Sequence, residues 1–161
     1  MRITSVAMLA LAVTTSAVLA AQPDASLSSQ ANSAFLDANV RKPGVNALPG
    51  IQYHVIKTGK GAQPDGRDCA TVNYKGSLIN GKVFDATKPG EPATFPVGRL
   101  IAGWTEALQL MHEGDEWELV IPSGLAYGKR GAGNGVIPPD QTLIFDVALL
   151  KVSKPINGEC G

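Results

Sequence analysis

The sequence predicts an α+β domain in which a twisted antiparallel sheet of about five strands packs against one short helix. Three observations carry this. Beyond Pro49 apolar residues recur with period two in segments set apart by turn residues. Only one stretch in that region, LIAGWTEALQLM, recurs with helical spacing. The remaining connections are rich in Gly and Pro. A sheet with one apolar face has to be covered, and a single helix is available within the domain to cover it.

The elements follow in order. MRITSVAMLALAVTTSAVLAAQ opens with one Arg, continues as an uncharged apolar run and ends in small residues, the pattern of a secretory signal peptide over residues 1–21. Thr14, Thr15 and Ser16 interrupt the run, and no later stretch approaches the ~20 apolar residues of a membrane span. Export would place the mature chain in the periplasm or outside the cell. Residues 22–47 form an N-terminal arm. Within it SSQANSAFLDANVRKPG reads as a short helix capped by Ser28 or Ser29, with Ala31, Ala34, Phe35 and Ala38 on one face and Pro43-Gly44 as its stop. Two readings of the arm stay open: a segment docked on the domain, or a linker with a nascent helix.

The domain itself spans 48–154. IQYHVI sets Ile51, Tyr53 and Val55 against Gln52, His54 and Ile56, and CATVNYKGSL sets Val72, Tyr74 and Leu78 against Thr71, Asn73 and Lys75. In SLINGKVFDAT, Asn80-Gly81 supplies the two positive-φ residues of a type I′ hairpin turn. A short strand around Phe95 precedes the helix, which is expected to stop at His112-Glu113-Gly114. EWELVI then places Trp117, Leu119 and Ile121 on one face and ends at Pro122. LAYGKRGAGNGVIPPD is too rich in Gly and Pro for a regular element and reads as a long loop. The last strand, TLIFDVALLKV, is apolar on both faces and so belongs in the centre of the sheet. Residues 155–161 are a tail.

Composition excludes several functions. Removing Arg2 with the signal peptide leaves 13 Lys+Arg against 14 Asp+Glu, a formal charge of −1 with no basic block, so nucleic acid and anionic membranes are poor partners. Cys69 and Cys160 are the only cysteines, and both survive into an oxidising compartment. Their wide separation argues against a C-x-x-C redox centre. A structural disulfide is the favoured reading, two free thiols the alternative. Only His54 and His112 exist, neither beside a patterned Cys, so a zinc site is not expected. No G-x-S-x-G elbow is present, and no carboxylate pair suggests glycoside hydrolysis. GKGAQPDG and YGKRGAGNG lack the Gly-Lys-Ser/Thr ending of a phosphate loop. An enzyme with this sequence works without nucleophile, metal or cofactor.

What remains is an excess of aromatic and branched side chains where strands and loops end: Phe84 beside Asp85, Phe95, Leu100, Ile101, Trp104, Tyr127, Val136, Ile137 and Phe145. Most such residues are core. Tyr127 and Ile137, however, stand in a Gly/Pro loop, where side chains usually face solvent or a ligand.

VNYKGSLINGKVFDAT, VGRLIAGWTEAL, AYGKRGAGNGVIPP and LIFDVALLKV, in that order, resemble the FKBP-type peptidyl-prolyl cis-trans isomerases over roughly residues 48–154. FLDANVRKPGVNALPGIQYHVI resembles the junction with the helical arm in secreted bacterial members of the macrophage infectivity potentiator type. There the arm is long and dimerising; here it is a stub, so a monomer is expected. The resemblance implies a half-barrel wrapped around the helix, with Trp104 as the floor of a proline pocket. It also implies walls from Tyr74, Phe84, Phe95, Leu100, Ile101 and Phe145, and contributions from Tyr127, Val136 and Ile137 in the loop. Asp85 would be a buried polar group at the rim, and Asp85, Tyr127 and Phe145 would form the catalytic set. Ala93 stands where many members carry an aromatic. The implied activity is rotation about X-Pro bonds in exported polypeptides, without cofactor and open to inhibition by macrolides of the FK506/rapamycin class. A chaperone or binding module using the same pocket with little turnover is the alternative.

Overall fold

The computed structural model describes residues 24–160, so the expected signal peptide lies outside the described residues. Seven strands, Val45–Ala47 (β1), Gln52–Lys57 (β2), Cys69–Leu78 (β3), Val83–Ala86 (β4), Ala93–Pro96 (β5), Glu116–Ile121 (β6) and Leu143–Ser153 (β7), form one sheet. Its order is β1-β2-β6-β7-β3-β4, with β5 also on β3, and every pairing is antiparallel. The helices are Ser29–Asn39 (α1) and Ala102–Leu108 (α2). β1 was not expected: three residues are too short to show a period, and the strand exists because it pairs with β2 from Val45↔His54 to Ala47↔Gln52.

The expected central strand is central. β7 lies between β6 and β3, and its Leu143, Phe145, Val147 and Leu149 are buried on the inner face with Val72, Leu78, Leu119 and Ile121. Burying side chains of this size is worth about 1.5–3 kcal/mol each. Against this face lies α2, presenting Trp104, Ala107 and Leu108. The approach is close enough that a Cβ on Gly103 would stand 2.5 Å from Ile121 Cγ2.

Two local expectations are corrected. Of Asn80 and Gly81 only Gly81 takes positive φ, at 85°, and its N–H donates to the Leu78 carbonyl at 2.9 Å. That is a type I turn closed by a left-handed glycine, with Asn80 Oδ1 accepting the Lys82 N–H, and not the type I′ turn. The helix α2 ends at Leu108, short of residues 112–114, although Met111 beyond it is fully buried. The buried Asp115 carboxylate accepts the N–H groups of His112 and Gly59, giving the chain a non-helical partner there.

The arm is docked. Ser28 caps α1, its hydroxyl accepting the Ala31 N–H at 3.2 Å. The attached face is not the alanine face: Ala34 and Ala38 are exposed, whereas Asn32 and Asn39 are buried. At the other end of the molecule Cys69 and Cys160 are bonded, with Cα atoms 5.6 Å apart, fastening the tail to the first residue of β3. Among the described residues no helix is long and apolar enough to cross a membrane.

Candidate active site

Tyr74, Phe84, Asp85, Phe95, Leu100, Ile101, Trp104, Tyr127 and Phe145 line one cavity of about 160 Å³ between α2 and the sheet. Four strands meet there, three consecutive in sequence and the fourth, β7, far along the chain. β3 brings Tyr74, β4 brings Phe84 and Asp85, β5 brings Phe95, and the centre of β7 brings Phe145. Leu100 and Ile101 precede the first turn of α2, and Trp104 lies on it.

The rings stand at right angles around Trp104. Phe145, Tyr74 and Phe95 lie with centroids 5.3, 5.4 and 6.3 Å from it and interplanar angles of 88°, 89° and 86°. Phe84 in turn stands edge-on to Phe145 at 5.6 Å. Edge-to-face pairs of this kind add about 0.5–1.5 kcal/mol each beyond area burial. They also hold the rings apart, so the floor is not covered by its own walls. Trp104 and Phe145 are each 4% exposed, rigid from below and open to the cavity.

A residue the sequence reading passed over makes this packing feasible. Gly76 lies in the middle of β3, where a Cβ would meet Phe84 Cζ at 2.6 Å and Phe145 Cε1 at 2.8 Å. A lone glycine inside a strand pattern signals such close approach, and that was the available clue.

The polar groups sit at the rim. Asp85 is exposed, which corrects the expectation of a buried carboxylate, and it accepts the Tyr74 hydroxyl at 2.6 Å. Burial, then this bond and the Asp85 charge, push the Tyr74 phenol far above the ordinary tyrosine value. Tyr127 is 40% exposed, and partial burial and the Asp85 charge raise its phenol in the same direction. Both phenols therefore stay protonated and able to donate. Among the described residues neither the Tyr127 hydroxyl nor the Ile101 N–H donates to another protein group.

Two expected lining residues are not at the cavity wall. Ile137 is 6% exposed within the core, its N–H and C=O paired with Ala132, and Val136 turns its side chain to solvent. The loop over residues 122–142 is three short 3-10 turns, and this bridge directs Ile137 inward. A larger hollow of about 340 Å³ is lined by the Lys75–Asp146 ion pair and Glu116 together with Tyr74 and Trp117, two rings that do not pair with each other. Among the described residues no group of His, Cys, Asp and Glu is arranged to hold a metal ion.

The family model for FKBP-type peptidyl-prolyl cis-trans isomerase matches residues 60–150, more than half of the chain. The chain belongs to that family. The outer membrane protein MIP of Legionella longbeachae is 54% identical over 123 residues, covering 75% of this chain and 52% of that protein. The peptidyl-prolyl cis-trans isomerase Mip of Coxiella burnetii is 53% identical over 123 residues, covering 75% and 53%. This FKBP-type chain thus spans about half the length of the curated relatives it matches. Among solved structures, a peptidyl-prolyl cis-trans isomerase from Pseudomonas syringae superposes with a TM-score of 0.73 at 40% identity, over 78% of this chain and 92% of that one. FkpA from Escherichia coli gives 0.72 at 42% identity, over 76% and 58%. The half-barrel around one helix is therefore the FKBP fold.

Proposed function

We propose that the mature chain is an exported peptidyl-prolyl cis-trans isomerase that binds proline in the aromatic cavity and lowers the barrier to rotation about the preceding bond. The observation that supports this is the perpendicular ring cluster around Trp104, an apolar floor of the size of a proline ring with donors at its edge.

The planar X-Pro amide is resonance-stabilised, with a barrier of ~18–20 kcal/mol, and relaxes unaided in tens of seconds or longer. The twisted amide at the top of the barrier carries less charge separation than the planar form. An apolar cavity therefore disfavours the ground state more than the transition state. A millionfold acceleration requires about 8 kcal/mol. Part of this comes from seating the ring on Trp104 between Phe145 and Tyr74. The rest comes from fixing the flanking chain, with the Ile101 N–H and the Tyr127 hydroxyl donating to substrate carbonyls. No proton is transferred and no covalent bond is made. Asp85 serves as acceptor for Tyr74 and thereby sets one wall, since a carboxylate repels a carbonyl oxygen. Phe84, Phe95 and Leu100 complete the walls. The signal peptide over residues 1–21, a periplasmic or secreted location, a monomeric state and inhibition by macrolides of the FK506 class belong to the same proposal.

The test is cis-to-trans relaxation of a short X-Pro peptide with the mature chain, with and without such a macrolide. Acceleration abolished by the macrolide is the expected result; no acceleration would leave a binding module. Phe145→Ala is expected to lower kcat/KM tenfold or more while thermal unfolding stays cooperative. Unchanged turnover in that variant would put the chemistry elsewhere.

A further inference from the structure

Besides Leu27, which packs against the core, the arm is held by polar groups, and a cluster of them gathers at the N-terminal end of α1. Asn32, Gln141 and Thr142 are 5%, 5% and 2% exposed, unusual burial for such residues. Asn32 Oδ1 accepts the Thr142 N–H at 2.7 Å, which fixes the orientation of the amide. Asn32 Nδ2 then donates to the Leu27 and Ser28 carbonyls and to Gln141 Oε1, at 3.2, 3.0 and 3.3 Å. Gln141 Nε2 bridges outward, donating to the Leu27 carbonyl in the arm at 3.0 Å and to the Pro139 carbonyl in the loop at 2.9 Å. Beside these bonds a hollow of about 250 Å³ separates α1 from Pro122 and Ser123. The junction at this end therefore combines the apolar contact of Leu27 with these hydrogen bonds beside an open hollow.

The segment so gripped is the end of the loop that begins at Tyr127. From Pro139 the next residue, Asp140, returns its N–H to the Gly128 carbonyl at 2.9 Å, and Ala132 and Ile137 exchange bonds at 3.0 and 3.1 Å between them. A continuous path thus runs from Asn32 through Gln141 and Asp140 to Gly128, adjacent to Tyr127. We propose that Asn32 is a positioning residue for the Tyr127 loop, making the N-terminal arm a working part of the isomerase site. The kinetic half of this rests on the isomerase reading above; the structural half does not.

The experiment compares the mature chain with Asn32→Ala, Asn32→Asp, Gln141→Ala and Asn39→Ala. Asn39 donates to Gln52 Oε1 at the far end of α1 and is the control for arm docking in general. Amide hydrogen exchange is read at Ala132, Ile137 and Asp140, against amides of the β3–β7 ladder in the same sample. Asn32→Ala is expected to speed exchange at the three loop amides tenfold or more relative to the ladder. Asn32→Asp, which keeps an acceptor for Thr142 but sets a carboxylate oxygen against the Leu27 and Ser28 carbonyls, is expected to speed the same amides, and Gln141→Ala, which cuts the path at its next link, is expected to do so too and covers the case in which neither Asn32 variant folds. Asn39→Ala leaves the loop amides within twofold. In turnover, Asn32→Ala lowers kcat/KM severalfold, and that loss vanishes in the Tyr127→Phe background. Loop exchange that is unchanged in the Asn32 variants or in Gln141→Ala, that rises only in step with the ladder, or that rises equally in Asn39→Ala overturns the proposal. A wild-type chain without isomerase activity removes the catalytic reading alone, because the exchange result still decides the positioning role.

Discussion

Gly76 concentrates the residue-scale logic of the site. Phe84 and Phe145 meet edge-on at 5.6 Å directly over it, in space that any other residue would fill with its own Cβ. Gly76→Ala forces both rings to move by several tenths of an ångström, and Phe145 is one of the three rings that stand around Trp104. Overpacking of this kind costs about 1–3 kcal/mol. The expected outcome is a lower urea midpoint together with loss of most proline turnover, because the rings yield into the cavity. Retained turnover with the same stability loss would show that the rings yield outward and that the cavity does not depend on their present angle. Asp85 carries the complementary lesson. The sequence places it beside Phe84 and at the rim, but burial depends on what the following turn covers, and nothing covers it.

At the scale of elements, the tail is held by one covalent contact. Cys160 is joined to Cys69 across a separation of 91 residues, and Cys69 is fully buried at the start of β3 beside Pro96. A structural disulfide is typically worth about 2–4 kcal/mol, chiefly by restricting the unfolded chain. Cys160→Ser is therefore expected to lower the urea midpoint by roughly 1–2 M at a slope of about 2 kcal/mol per molar. A midpoint within a few tenths molar of wild type would mean that the tail contributes nothing to the folded domain. The strands from β2 to β7 were legible because period-two burial on one face survives into three dimensions at Val72, Leu119, Phe145 and Leu149. The docking face of α1 was not. Periodicity finds apolar stripes, whereas the polar docking of α1 runs through Asn32 and Asn39, whose partners are the distant Thr142 backbone amide and the Gln52 side chain in β2. The inward turn of Ile137 was invisible for a related reason: a two-residue bridge to Ala132 sets it, and no pattern in GAGNGVIPP announces that pairing.

For the molecule as a whole, the groups that titrate on folding lie at two ends of the sheet and set two limits on stability. At the β3 and tail end, the Asp68 carboxylate accepts Lys154 Nζ and the Asp65 N–H, and these bonds hold it below the usual carboxylate range; Asp65 is held low by Arg67. A carboxyl whose folded pKa is depressed contributes stability above its unfolded value, about 3.9, and loses it as pH falls through the folded value. At the cavity end, Tyr74 and Tyr127 are raised, and Lys75 is raised by its bond to Asp146. Groups of that kind contribute fully below their unfolded values near 10 and lose the contribution as pH rises beyond them. The stability profile is therefore expected to be flat from about pH 4 to about pH 10 and to fall on both sides, with turnover constant while both phenols keep their protons. Lys154 links the two limbs, because its bond to Asp68 raises the ammonium and adds to the alkaline limb from the acid end. Asp68→Asn should lower stability at pH 7 toward the wild-type value at pH 3, flatten the acid limb and remove the Lys154 share of the alkaline limb, leaving the share of Tyr74, Tyr127 and Lys75 and proline turnover unchanged. Urea midpoints measured at pH 3, 7 and 10.5 decide it: an acid limb as steep in Asp68→Asn as in wild type would assign acid sensitivity to other carboxylates, and an alkaline limb abolished outright would show that the phenols and Lys75 at the cavity end contribute none of it.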